Sequence, residues 1–166
     1  MSVDTLINPS ATFTRPADTT TYAIGDLIAN STTAGSVAPM EFAVARSNGG
    51  GVSIEKMRMS KTGTGVTGAS FQLRLYRESP TVSNGDNGAY LCNKAADFLG
   101  SFNFGLADMI VHTDGVACNG ITSTGYPVQA NVKAGQTKVY GLLYAAGAYA
   151  PTSAESFTFI PETRQD

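Results

Sequence analysis

The stretch "ASFQLRLY" (69–76) repeats with a period of two: Phe71, Leu73 and Leu75 share one parity, and Gln72, Arg74 and Tyr76 share the other. Only extended backbone sends successive side chains to opposite faces, so this is a half-buried strand. The pattern recurs in "ESFTFIP" (155–161), where Phe157 and Phe159 oppose Ser156 and Thr158. "TKVYGLLYAA" (137–146) is apolar on both faces, with Val139 and Leu143 against Tyr140, Leu142 and Tyr144. It predicts a strand covered on both sides. In "VSIEKMRMS" (52–60), Val52 and Ile54 have one parity and Met57 and Met59 the other. One extra residue near Glu55-Lys56 returns all four to one face, which predicts a β-bulge there, with a short helix as the alternative. Further strands are expected over 12–15, 22–28, 41–45 and 126–132.

Helical periodicity is scarce. "NGAYLCNKAADFL" (87–99) is the best helix candidate, and 100–125 reads as a long excursion with one or two short strands. Residues 1–11 are expected to form an N-terminal arm. The remainder, 12–166, reads as one domain of short strands separated by Gly, Ser and Thr, which implies an all-β sandwich or barrel.

Charged residues make up 14% of the 166-residue chain and apolar residues 42%. The charged share is well below the usual ~25%. Low charge with ordinary apolar content argues against disorder and suits a surface that meets other proteins. The eleven basic residues are scattered and the net charge is -2. Nucleic-acid binding is set aside, because it needs clustered Lys and Arg to displace counterions. No apolar run approaches the ~20 residues of a membrane-spanning helix. The start, "MSVDTLINPSATFTRP", has no signal-peptide pattern. Cys92 and Cys118 are expected as reduced, buried thiols, with a single disulfide as the alternative. Asn30-Ser31-Thr32 is read as a chance sequon.

"KTGTGVTGAS" (61–70) contains Gly63, Gly65 and Gly68 in the G-x-G-x-x-G spacing of a dinucleotide fingerprint. That fingerprint works only where the glycines open a helix whose N-terminal amides hold a pyrophosphate. Here a period-two stretch follows, so the glycines are expected to form a loop between antiparallel strands. His112, between Asp108 and Asp114, is the sole histidine and is expected on a surface loop rather than in a metal site. There is no G-x-S-x-G elbow. "SNGDNG" (83–88) reads as a turn, not a calcium loop, and "YAAGAYAPTS" (144–153) as a strand end followed by a turn at Pro151. No catalytic residue, cofactor or metal is expected. A small β-sandwich hydrolase is the remote reading.

Three stretches together resemble the head cement, or decoration, proteins of tailed bacteriophages: "TRPADTTTYAIGDLIANS" (14–31), "FQLRLYRESPT" with "DNGAY" (71–81, 86–90), and "YGLLYAAGAYAPTSAESFTF" (140–159). The positions carrying the resemblance are Arg15, Pro16, Ala17, Asp18, Tyr22, Gly25, Asp26, Pro80, Asp86, Asn87, Tyr149 and Pro151. The resemblance implies a jelly-roll-like β-sandwich with at most one or two short helices. It further implies a dimer or trimer, made in the host bacterial cytoplasm and placed on the outer surface of the virion. There it would bind the phage major capsid protein and clamp neighbouring subunits. The alternative is a tail or fibre module that binds a host receptor or glycan. Its mark would be exposed aromatics and acids at one end of the sandwich, with Tyr144, Tyr149 and Asp86 as the nearest candidates.

Overall fold

The computed structural model describes residues 8–165. Most of the arm expected over 1–11 therefore lies outside the described residues. Eleven antiparallel strands follow in order: β1 (Ala11–Thr14), β2 (Leu27–Ile28), β3 (Met40–Ala43), β4 (Gly51–Lys61), β5 (Phe71–Tyr76), β6 (Phe98–Phe104), β7 (Met109–His112), β8 (Gly115–Thr122), β9 (Val128–Asn131), β10 (Lys138–Ala145) and β11 (Ser156–Gln165). One four-stranded sheet runs β1-β11-β4-β8 and the other β3-β10-β5-β6. Early strands pair with late ones in nested order: β1 with β11, β3 with β10, β4 with β8, β5 with β6. A long hairpin wound into two facing sheets gives this pairing, which is the jelly roll. Short strands β2, β7 and β9 extend it.

The inward faces follow the period of two. Phe71, Leu73 and Leu75 meet Phe157 and Phe159, together with Phe102, Phe104 and Leu143, in one core. In β4, Lys56 pairs with Glu162 and Ile54 with Thr163, which leaves Glu55 as the extra residue of a bulge. Val52, Ile54, Met57 and Met59 are all buried as a result. β10 is covered on both sides as expected. Its outward Leu142 packs with Leu27, Ala29, Val82 and Cys92 in a second, smaller apolar cluster.

The helix expected over 87–99 is absent. Asn87 and Lys94 have φ of 62° and 70°, outside the helical range, and only Ala95–Asp97 makes a 3-10 turn. The backbone amides there bond to distant segments: Asn87 to Leu27 O, Tyr90 to Gly25 O and Asn93 to Thr81 O. Packing of Tyr90 and Cys92 over the sheet outweighs a weak helical preference. Of 22–28 only Leu27–Ile28 is strand, since Gly25 turns at φ 103°.

The excursion expected over 100–125 instead carries most of β6, all of β7 and all of β8. β8 pairs with β4 through Gly120 and with β6 from Ile121, so it passes from one sheet to the other. That corner breaks the alternation on which strand recognition depends. A Cβ at Gly120 would stand 2.7 Å from the Phe104 ring. Gly120→Ala is expected to cost about 1–3 kcal/mol by overpacking. Gly35→Ala, where nothing lies within 4 Å, stays within about 0.5 kcal/mol of wild type. Urea unfolding of the two variants checks both values.

Candidate functional site

The strand ends at one end of the sandwich carry a buried ionic network, on which Arg15, Asp18, Tyr22, Asp86 and Tyr149 converge. β1 runs with Phe13 facing inward against Phe157, so Arg15, two residues on, also points inward. Its Nε donates to the Tyr22 hydroxyl (2.7 Å), and its two Nη groups donate to Asp18 O (2.7 Å), Thr152 O (3.2 Å) and Asp18 Oδ1 (3.1 Å). Nη2 also lies 3.5 Å from Asp86 Oδ2, and both side chains are fully buried. Asp86 Oδ1 accepts from the Tyr22 hydroxyl and the Ala29 amide, each at 2.7 Å. Burial pushes the Asp86 carboxyl up, and the Ala29 amide, Tyr22 and Arg15 pull against it.

Asn87, in left-handed backbone, turns the chain so that its amide reaches Leu27 O. Asp26 caps the Ala23 amide at 2.7 Å. The Pro16 carbonyl accepts from the amides of Asp18 and Ala154, and Ala17 is exposed beside it. Pro151 is buried next to Tyr149, whose carbonyl accepts from the Tyr22 amide. Pro80 is buried apart from this network, after the end of β5.

A second buried pair lies alongside. Lys61 continues the inward row of Met57 and Met59 and donates to Glu155 Oε1 (2.8 Å), Gly63 O (2.6 Å) and Gly65 O (2.7 Å). Glu155 accepts the Tyr149 hydroxyl on its other oxygen, and the Tyr149 and Tyr22 rings stack at 6.3 Å. The glycine-rich loop thus turns two carbonyls onto a cation. A phosphate cradle would offer amides, so the polarity is the reverse of a nucleotide site. Gly68 sits at φ 65° with the Ala148 carbonyl where a Cβ would go, and this holds the loop against the 147–150 turn.

Burial pushes the phenols of Tyr22, Tyr90 and Tyr149 well above their ordinary value of about 10. A folded-state pKa raised in this way favours the fold fully below pH ~10 and is lost as pH climbs toward the folded value. These three phenols are therefore expected to ionise only in a cooperative step that coincides with alkaline unfolding. Absorbance at 295 nm and circular dichroism, followed together up the pH scale, check this.

The other residues weighed above do not assemble. His112 is exposed at the end of β7, and no three His, Cys, Asp or Glu side chains gather for a metal among the described residues. Cys118 is buried, Cys92 half-buried, and both are free thiols. Asp86 and Tyr149 are buried and Tyr144 is half-buried, so they form no exposed cluster for a glycan.

Two surface features were not legible in the pattern. One is an open groove of about 490 Å³ beside β5, lined by Arg74, Tyr76, Tyr90, Leu91, Cys92 and Phe98. In it the Arg74 guanidinium packs against two rings that meet edge to face, 4.2 Å from the Tyr144 centroid and 4.5 Å from that of Tyr90. The other is the outward face of the β1-β11-β4-β8 sheet. Thr12, Thr158, Ser60, Ala117 and Ile110 lie side by side across five strands, without a charge. Its hydroxyls bond one another, Thr12 to Thr158 at 2.7 Å and Thr14 to Ser156 at 2.6 Å. No family model, curated protein or solved structure matches this chain.

Proposed function

We propose that the chain is a decoration protein of a tailed-phage head, which binds the outside of the expanded capsid and cements neighbouring major capsid subunits. The observation that carries this reading is the uncharged row Thr12–Thr158–Ser60–Ala117–Ile110. Covering that row strips water from no ion, since the charges of the same face, Lys56, Arg58, Glu162 and Arg164, lie further along β4 and β11. Hydroxyls already paired with each other lose little when water leaves. The resemblance noted in the sequence supports the reading, and five of its positions, Arg15, Asp18, Tyr22, Asp86 and Tyr149, belong to the network that joins the strand ends. The reading contains no catalytic step and no cofactor. A jelly roll alone would not carry it, since folds host many functions.

The mechanism is mass action. A protein that binds the assembled, expanded shell and not its free subunits adds its binding free energy to shell stability. Several contacts on one shell raise the effective concentration and slow release. The test is co-sedimentation of the purified protein with expanded and with unexpanded shells of the phage that encodes it. Saturable binding to expanded shells, with a raised shell melting temperature, is expected. Failure to bind expanded shells overturns the reading.

A second reading, a tail or fibre module that binds a host receptor or glycan, is favoured by the groove around Arg74, where an exposed Leu91 and Phe98 accompany Tyr76 and Tyr90. It must dispense with Asp86 and Tyr149, which are buried.

A further inference from the structure

We infer that two copies of this chain join edge to edge through β7, on a two-fold axis at Ile110. The inference goes beyond the capsid reading and stands independently of it.

An open strand edge is a template for another strand, and proteins normally blunt it with charge, proline, a bulge or brevity. The other free edges carry such devices. β1 has four residues between Pro9 and Pro16, β2 has two residues, β3 holds the Glu41–Lys138 ion pair, and β9 follows Pro127 with polar Gln129 and Asn131. β7 reads Met-Ile-Val-His, with neither charge nor proline, and its register against β8 runs unbroken from Met109–Cys118 to His112–Gly115. Among the described residues it is paired on one side only. Ile110 is 60% exposed and Val111 53%, on opposite faces of the strand, so apolar surface flanks the open edge on both sides.

The backbone specifies the pairing. β7 and β8 are joined by the two-residue turn Thr113–Asp114, whose closing pair, His112 and Gly115, exchanges both hydrogen bonds. Ile110 and Ala117 do the same, by alternation. Met109 and Val111 therefore direct their polar groups to the open side. The Met109 amide is already taken by Leu106 O, which leaves its carbonyl, together with both groups of Val111.

An antiparallel second copy centred on Ile110 sets each Val111 amide against the Met109 carbonyl of the other copy. It also brings His112 of each copy to the 3-10 turn that ends at Asp108 of the other, an imidazole donor beside a carboxylate on both sides of the axis. Moving the centre to Val111 would bring the hairpin turn with Asp114 to that end instead, like charge near like. Charge complementarity selects Ile110. Because the pairing is isologous it closes as a dimer, which a trimer cannot do through this edge.

The test uses the full chain. Sedimentation equilibrium is expected to give twice the 17.3 kDa chain mass. Val111→Pro removes an amide that faces the open side, so no bond to β8 is lost, and edge strands accommodate proline's fixed φ; this variant should run at the single-chain mass with the wild-type near-ultraviolet spectrum. Independently, in a Cys92→Ser background, Ile110→Cys should form a cross-linked dimer on oxidation. On the axis the two Cα atoms stand about 4.5 Å apart, within disulfide reach. Val111→Cys should cross-link much less. A wild-type monomer or trimer, a dimer that survives Val111→Pro, or cross-linking through position 111 instead of 110 would each overturn the inference.

Discussion

Replacing Glu155 with Ala is expected to destabilise the fold by about 3–5 kcal/mol, because it strands the Lys61 ammonium in the interior. Lys61 and Glu155 are both fully buried at 2.8 Å, and the two loop carbonyls that remain carry only partial charge. The Tyr149 hydroxyl loses its acceptor as well. Such a loss is a large part of the 5–15 kcal/mol by which a domain is normally stable. Glu155→Gln keeps an acceptor and should cost less. The double variant Lys61→Met with Glu155→Leu removes both charges and should recover most of the loss. Urea unfolding of the four proteins measures this. A Glu155→Ala variant within 1 kcal/mol of wild type, on the order of one ordinary hydrogen bond, would contradict a dry, coupled pair.

Asp86→Ala is the second large effect, again about 3–5 kcal/mol, since Arg15 is always charged and is buried opposite it. The carboxylate also accepts the Ala29 amide, so its loss loosens the segment around β2 together with the 83–88 turn. Tyr22→Phe, which deletes the hydroxyl between Arg15 and Asp86, should cost about 1–3 kcal/mol. The Asp86 and Glu155 effects are not expected to add. Tyr22 and Tyr149 stack between the two pairs, and neighbours that share partners couple by about 0.5–3 kcal/mol. A double-mutant cycle on Asp86 and Glu155 reads that coupling.

Parity made most of the sandwich legible. The two offset pairs in "VSIEKMRMS" located the bulge at Glu55, and the doubly apolar "TKVYGLLYAA" announced the cover over β10. The extent of strand in 100–125 was underestimated because Gly120 carries β8 around a corner, where inward and outward exchange meaning. The 87–99 segment was misread because the amides of Asn87, Tyr90 and Asn93 are satisfied by Leu27, Gly25 and Thr81, 12 to 65 positions away in the chain, which no local pattern reports.

The buried network was visible in part. Lys61 shares the parity of Met57 and Met59, Glu155 that of Phe157 and Phe159, and Arg15 that of Phe13. Three charges in phase with three inward rows is the signal. Charge type alone suggested surface, and the pairing of 15 with 86 and of 61 with 155 depends on how the sheets fold together. The uncharged outer row was hidden for the same reason, since Thr12, Thr158, Ser60, Ala117 and Ile110 become neighbours only through strand order.

The capsid reading is tested most directly by counting copies of this protein in purified virions, relative to the major capsid protein, by quantitative mass spectrometry. The account predicts a ratio near one, or a simple fraction of it, with hundreds of copies per particle, as a shell-wide lattice requires. A handful of copies would place the protein at the tail or the portal vertex, and absence from virions would remove it from the particle altogether. Either result would contradict the account.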